Sequence, residues 1–256
     1  MKQRIITAFA ILAILIPPII YGGIPLRILI FTLCAIASYE TVSLRSEQPD
    51  WLLTILTFFS IVIMYNVNDN YYLPMLSLFV IGLFFISIVS NILDIDSLSY
   101  VFLISIIITI ACKGFIAIYD MGIFYIFYIG FACYITDSMA YFTGVKYGKH
   151  KMIPRISPNK TWEGAFGGYV SGFAVSLVFG LIFLKIPYYV TIFLSLTIPI
   201  VSQLGDLAFS SIKRHFDKKD FGSVFPGHGG VLDRLDSLLF TIIYSYAIFY
   251  MFNLLV

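Results

Sequence analysis

The chain reads as an all-α protein, a polytopic integral membrane bundle of about nine transmembrane helices. Three observations predict this. Of its 256 residues, 60% are hydrophobic and only 12% charged, against roughly 25% charged in soluble domains. Apolar stretches near the ~20 residues needed to cross hydrocarbon recur along the whole length. The little charge present is concentrated: ten of the sixteen Lys and Arg lie in two windows, 143–163 and 206–236. Such a composition leaves no room for a separate soluble domain and gives no reason to expect a nucleic-acid partner.

The predicted spans follow in order. Met1-Lys2-Gln3-Arg4 leads into an apolar run over 5–21 that imitates a signal peptide. Pro17-Pro18 stands where small residues would mark cleavage, so the run reads as a retained first span. Further spans are expected at 24–43, 51–66, 72–92, 98–118, 121–142, 165–184, 187–205 and 237–255. The third is short, and the fifth and sixth nearly merge around Lys113 and Asp120. Lys and Arg concentrate on the cytoplasmic side of membrane proteins. A cytoplasmic N-terminus places Lys2, Arg4, Arg45 and both charged windows on that side, leaving Arg27, Lys113 and Lys185 outside. The organisation expected is a set of N-terminal transmembrane helices, 1–120, and a C-terminal transmembrane region, 121–256, with cytoplasmic loops 143–163 and 206–236. Cys34, Cys112 and Cys133 are odd in number, far apart and in apolar surroundings; they read as small buried hydrophobes.

The first window begins with Asp137, about five residues from its span's end, or ~8 Å at helical rise. A carboxylate at mid-membrane costs about 2.5–3.5 kcal/mol on insertion scales and usually faces a polar cavity. Asp137 therefore reads either as a site residue or as an acid satisfied by the interface or a neighbouring span. Lys146, Lys149, His150, Lys151 and Arg155 read first as a topology signal touching anionic lipid. Ser157-Pro158 reads as a helix N-cap followed by its first residue. Free N–H groups there suit an anion, and Lys160 adds a point charge. Capping does not explain why Lys160 and Glu163 sit beside the bilayer.

In the second window, Gln203, Asp206, Ser210 and Lys213 recur at three- and four-residue spacing and share a face if the eighth span continues as helix. Asp206 with Ser210 suits a hard cation: Mg²⁺ takes one or two carboxylates together with water and phosphate oxygens. Lys213-Arg214 and Lys218-Lys219 supply positive charge, which reads as a phosphate site or a solvated face. Pro226-Gly227-His228-Gly229-Gly230 is a turn whose glycines permit close backbone approach and whose N–H groups can form an anion nest. Asp233 and Asp236 then share a helix face, with Ser237 one turn beyond Asp233. Two such carboxylates repel unless neutralised, by Arg234 or by a metal.

The string from Ser210 to Asp236 resembles the signature of the phosphatidate cytidylyltransferases (CDP-diglyceride synthases). The positions that carry the likeness are Ser210, Lys213-Arg214, Lys219-Asp220, Gly222, Phe225-Pro226, His228-Gly229-Gly230, Asp233-Arg234 and Asp236. The Ser157–Gly164 segment and the Asp137 region are also similar, although Asn159 stands where the family commonly has a basic residue. The first 120 residues are similar only in being apolar.

The resemblance implies that CTP and phosphatidate give CDP-diacylglycerol and pyrophosphate with Mg²⁺, with one or two cations bound. It implies Asp206 and Asp233 as metal-binding positions, and a homodimer in a bacterial cytoplasmic membrane. On this reading Asp206, Asp233 and Asp236 form the catalytic set. Asp137, Ser157, Lys160, Ser210, Lys213, Arg214, Lys219, His228, Gly229, Gly230 and Arg234 bind substrate. A phosphate monoester has a second pKa near ~6, so the phosphatidate nucleophile needs no strong general base. The chain offers no evident Ser–His–Asp or Cys–His set. The obstacle is repulsion between two polyanions, which cations and Lys/Arg neutralise. A polyprenyl-phosphate transferase and an ion or metabolite transporter are the alternative readings. The crowding of polar residues at one end of the chain opposes the transporter, whose halves should show corresponding broken helices.

Overall fold

A computed structural model describes residues 13–45, 50–89, 94–224 and 229–255. After helix α1 (residues 13–21) come α2 (Gly23–Arg45), α3 (Trp51–Asn66), α4 (Tyr72–Val89), α5 (Ile95–Met121) and α6 (Ile123–Tyr147). Strands β1 (Lys151–Ile153) and β2 (Ser157–Thr161) interrupt the helices. They are followed by α7 (Trp162–Phe183), α8 (Tyr188–His215) and α9 (Leu232–Met251). Six of these, α2 and α4 to α8, are long and apolar enough to cross a membrane. Helix α3 is shorter, and α9 carries Asp233, Arg234 and Asp236 in its first turns. The protein is an integral membrane protein. Its helices satisfy their own backbone groups, as hydrocarbon demands.

The described residues form two compact units. The first comprises the chain through Lys113 together with Asp220–Asp233. Two of its helices, α3 and α5, start on side-chain caps: Asp50 accepts the Leu53 N–H at 3.1 Å, and Asp94 accepts the Ser97 N–H at 3.0 Å. Helix α4 buries Leu83 alone and exposes Leu73, Leu78, Ile81, Phe85 and Ile88, a surface suited to lipid. The thiols of Cys34 and Cys112 meet at 3.6 Å, so two cysteines distant in sequence share one apolar contact.

The second unit comprises Gly114–Lys219 and Arg234 onward. Its centre is the contact between α6 and α7. Along α7, Gly164, Gly168, Gly172, Ser176 and Gly180 recur every fourth residue and are buried. Small residues let membrane helices approach closely. A Cβ at Gly164 would lie 2.7 Å from the Ala140 carbonyl, and one at Gly168 would lie 2.8 Å from the Ala140 Cβ. Helix α8 joins through a polar knot: the Tyr128 hydroxyl meets Ser195 Oγ at 2.8 Å and donates to the Thr191 carbonyl at 3.3 Å. Replacing Gly168 by Leu is expected to destabilise the protein by about 1–3 kcal/mol through overpacking. Thermal unfolding in detergent reads this as a lowered midpoint.

Between α6 and α7 the chain makes an antiparallel hairpin pairing Lys151 with Thr161 and Ile153 with Ser157. Its turn closes by the Ile156 N–H on the Ile153 carbonyl at 3.1 Å, with Pro154 at the position a β-turn favours for proline. This corrects the expectation for Ser157-Pro158. Ser157 lies in β2 and caps no helix; the N-cap of α7 is Thr161, whose hydroxyl accepts the Gly164 N–H at 3.1 Å. Strand pairing holds the backbone extended through Thr161, so the first residue free to turn helical comes four positions later than Ser-Pro predicts. Pro158 is tolerated because a two-stranded hairpin has only edge strands.

Candidate functional site

Helix α8 continues to His215. Gln203, Asp206, Ser210 and Lys213 therefore do lie on one helical face. The first three have defined local contacts. Gln203 Nε2 donates to the Ala165 carbonyl at 3.1 Å, tying α8 to the start of α7. Ser210 Oγ donates to Asp206 Oδ1 at 3.2 Å, and Lys160 Nζ pairs with Asp206 Oδ2 at 2.6 Å. Extended β2 carries Lys160 to that carboxylate. Both partners are about one-third exposed, so the pair is open to exchange with a ligand.

Asp137, on α6, accepts the Ser202 hydroxyl from α8 at 3.3 Å. Gly205 makes room for α9: a Cβ there would lie 3.0 Å from the Asp236 carbonyl and 2.8 Å from the Phe240 Cβ. Asp137, Asp206 and Asp236 lie within electrostatic range of one another, with Lys160 acting on Asp137 and Lys213 on Asp236. Three carboxylates facing so few cations form a field that attracts positive charge. Arg214 is committed locally: its Nε donates to the Ile156 carbonyl at 3.2 Å and its Nη1 to the Lys218 carbonyl at 3.1 Å. Lys219 and Arg234 are exposed.

Glu163, whose presence beside the bilayer capping left unexplained, is a clamp. Its carboxylate accepts the backbone N–H groups of Lys149 at 3.1 Å and His150 at 3.2 Å, and meets His150 Nδ1 at 2.6 Å. It fixes the chain leaving α6 to the first turn of α7. The Lys149 backbone does this work, so Lys149→Ala is expected to retain wild-type activity within about twofold, as surface changes usually do. Initial-rate measurement checks this.

The first unit holds a second carboxylate cluster. Asp233 is 7% exposed. Its Oδ2 accepts the N–H groups of Phe221 at 2.7 Å and Gly230 at 2.9 Å. Gly229 has φ +83°, a conformation glycine adopts without steric cost; a Cβ there would lie 2.8 Å from Asp233 Oδ2. His228 lies outside the described residues, as do Phe225 and Pro226. Beneath this turn is a residue the sequence reading passed over. Glu40, on α2, is fully buried. Its two oxygens accept the Val231 and Leu232 N–H groups, each at 2.8 Å. The signal was present, since an acid inside a predicted span is itself a flag.

Among the described residues, no group of three or more His, Cys, Asp or Glu is arranged to hold a metal ion. Each cluster instead offers oxygen donors on an open or partly committed carboxylate. That suits a hard cation completing its shell with water and phosphate oxygens better than one needing a full protein cage.

A sequence profile of the cytidylyltransferase family matches residues 2–252. The chain belongs to the cytidylyltransferase family. It is 35% identical to a phosphatidate cytidylyltransferase of Bacillus subtilis (strain 168), over 99% of each chain. Similar proteins of the same name occur in Staphylococcus haemolyticus (strain JCSC1435), 34% identical, and Staphylococcus aureus (strain COL), 34% identical. Each of these matches covers 94% of this chain and 96% of the relative. The match spans the N-terminal helices as well as the charged windows, so family membership includes the helix that carries Glu40.

Proposed function

We propose that this family member transfers CMP from CTP to phosphatidate, giving CDP-diacylglycerol and pyrophosphate for phospholipid synthesis. The observation that carries the proposal is the Lys160–Asp206 pair within a group of three carboxylates, on a chain whose near-full-length relatives bear that name. A phosphatidate oxygen attacks the α-phosphorus of CTP; the bond to the β-phosphate oxygen breaks, and pyrophosphate departs with that electron pair. The phosphatidate monoester is largely dianionic at neutral pH, so the protein's task is to hold two anions together.

Asp206 and Asp233 are the carboxylates we assign to Mg²⁺ binding, with one or two cations bound. Bound there, Mg²⁺ supplies charge neutralisation for the transferring phosphoryl group. Asp236 adds negative charge beside Asp206. Lys160 neutralises Asp206; were a cation held on that carboxylate, the Lys160 ammonium would be available to a substrate phosphate. Lys213, Arg214, Lys219 and Arg234 are assigned to phosphates of CTP or lipid, as are Ser157, Ser210 and the His228-Gly229-Gly230 turn. For Arg214 this means giving up its carbonyl bonds. Asp137 is likewise assigned to substrate binding.

The positive-inside distribution supports a cytoplasmic N-terminus and cytoplasmic charged windows; the likeness to bacterial relatives supports placing the protein in a bacterial cytoplasmic membrane, and the homodimer is carried by the family resemblance alone. In a direct test, purified protein in mixed micelles releases pyrophosphate from CTP only when phosphatidate and Mg²⁺ are both present. Equal turnover with a polyprenyl phosphate, or none with phosphatidate, overturns the assignment.

A further inference from the structure

We propose that Glu40 is a positioning residue for the Asp233 turn: its buried carboxylate, from a helix distant in sequence, sets the backbone on which Asp233 is presented. The inference rests on the reading of Asp233 as a ligand-binding carboxylate, but its structural part stands separately.

Four contacts carry it. Both Glu40 oxygens are used, one on the Val231 N–H and one on the Leu232 N–H, each at 2.8 Å. These are donors at the start of α9, where helical N–H groups have no intrahelical partner and where negative charge is favoured. The backbone on either side is moulded to the carboxylate. A Cβ at Gly222 would lie 2.8 Å from Glu40 Oε1, and one at Gly230 would overlap the same oxygen. Gly230 also donates its N–H to Asp233. One glycine is therefore set between two carboxylates, with its N–H on Asp233 and its Cα against Glu40. Finally, Glu40 is wholly enclosed while Asp233 is slightly exposed, as expected if one acid builds the turn and the other serves it.

An isolated carboxylate among apolar helices is costly. This one is satisfied by the turn, and the turn in turn has its N–H donors satisfied by it. Glu40 therefore couples α2, in the part of the chain with no recognisable motif, to the signature near the other end. It never needs to touch substrate.

The test uses the full chain, purified in detergent, with hydrogen exchange measured on a peptide covering Gly229–Asp236. Glu40→Gln keeps the shape but replaces one acceptor by an NH₂ group facing an N–H. Exchange at Val231 and Leu232 is expected to accelerate about tenfold, the size of a lost charge-assisted hydrogen bond, with peptides from α6 and α7 unchanged. In the wild type, CTP with Mg²⁺ slows exchange of the same peptide. In Glu40→Gln the CTP concentration giving half that protection is expected to rise about tenfold, and kcat to fall by at least as much, while α6 and α7 keep their wild-type exchange. Gly230→Ala presses a methyl group on the same carboxylate and is expected to reproduce the result if Glu40→Gln does not accumulate.

Unchanged basal exchange at Val231 and Leu232 in either variant overturns the proposal. So does accelerated exchange with wild-type CTP protection and kcat. If CTP protects nothing in the wild type, the functional reading of the turn falls, while the exchange response to Glu40 still decides the structural part.

Discussion

Asp233→Asn leaves a folded protein whose cytidylyl transfer is reduced on the order of 10²–10³-fold, the range seen when one preorganised electrostatic contact to a transition state is lost. This carboxylate has two duties. Oδ2 accepts the N–H groups of Phe221 and Gly230. An Asn carbonyl oxygen in the same place can accept both, so the turn survives. The negative charge does not, and a cation assigned to this position loses its ligand. Asp233→Ala removes both duties and leaves two buried N–H groups without their acceptor, at about 1–3 kcal/mol each. The two variants therefore divide cleanly. Asn is expected to lower activity at an unchanged unfolding midpoint, whereas Ala lowers both. Full activity in Asp233→Asn removes this residue from the site.

Asp206→Asn is the second large effect, again on the order of 10²–10³-fold in transfer rate. Here the change loses the Lys160 ion pair and keeps an oxygen for the Ser210 hydroxyl. Because the pair is about one-third exposed, its contribution to folding is small, as partly solvated ion pairs usually contribute about 0–1 kcal/mol. Loss of activity without loss of stability is the expected outcome, measured by initial rates beside thermal unfolding. Lys160→Met provides the converse. It leaves Asp206 without its ammonium, and CTP or phosphatidate without one phosphate partner. Its expected signature is a higher KM together with a lower kcat. An Asp206→Asn variant that unfolds at the wild-type midpoint and turns over normally disproves the assignment.

Much of the fold was legible because membrane insertion is governed by local composition. A run of apolar residues spans wherever it occurs, so the helices fall close to the expected segments. The face formed by Gln203, Asp206, Ser210 and Lys213 followed from helical periodicity once α8 was extended to His215. The departure at Ser157 has a different origin. Ser-Pro is a good helix start in isolation, and no local rule says that Lys151–Ile153 will pair with it. The pairing keeps the chain extended, passes the cap to Thr161 and swings Lys160 toward Asp206.

The sequence by itself determined that this is a membrane protein and which family it belongs to. Those are properties of composition and of residues close together in the chain. Only the tertiary structure decided what each carboxylate does. Glu40 lies 191 and 192 residues from the two N–H groups it holds. Glu163 turns out to secure a loop, and Asp233 holds a turn of its own. A buried carboxylate takes its role from the donors that folding brings to it, because hydrogen bonds are short-ranged and an unpaired buried charge is costly.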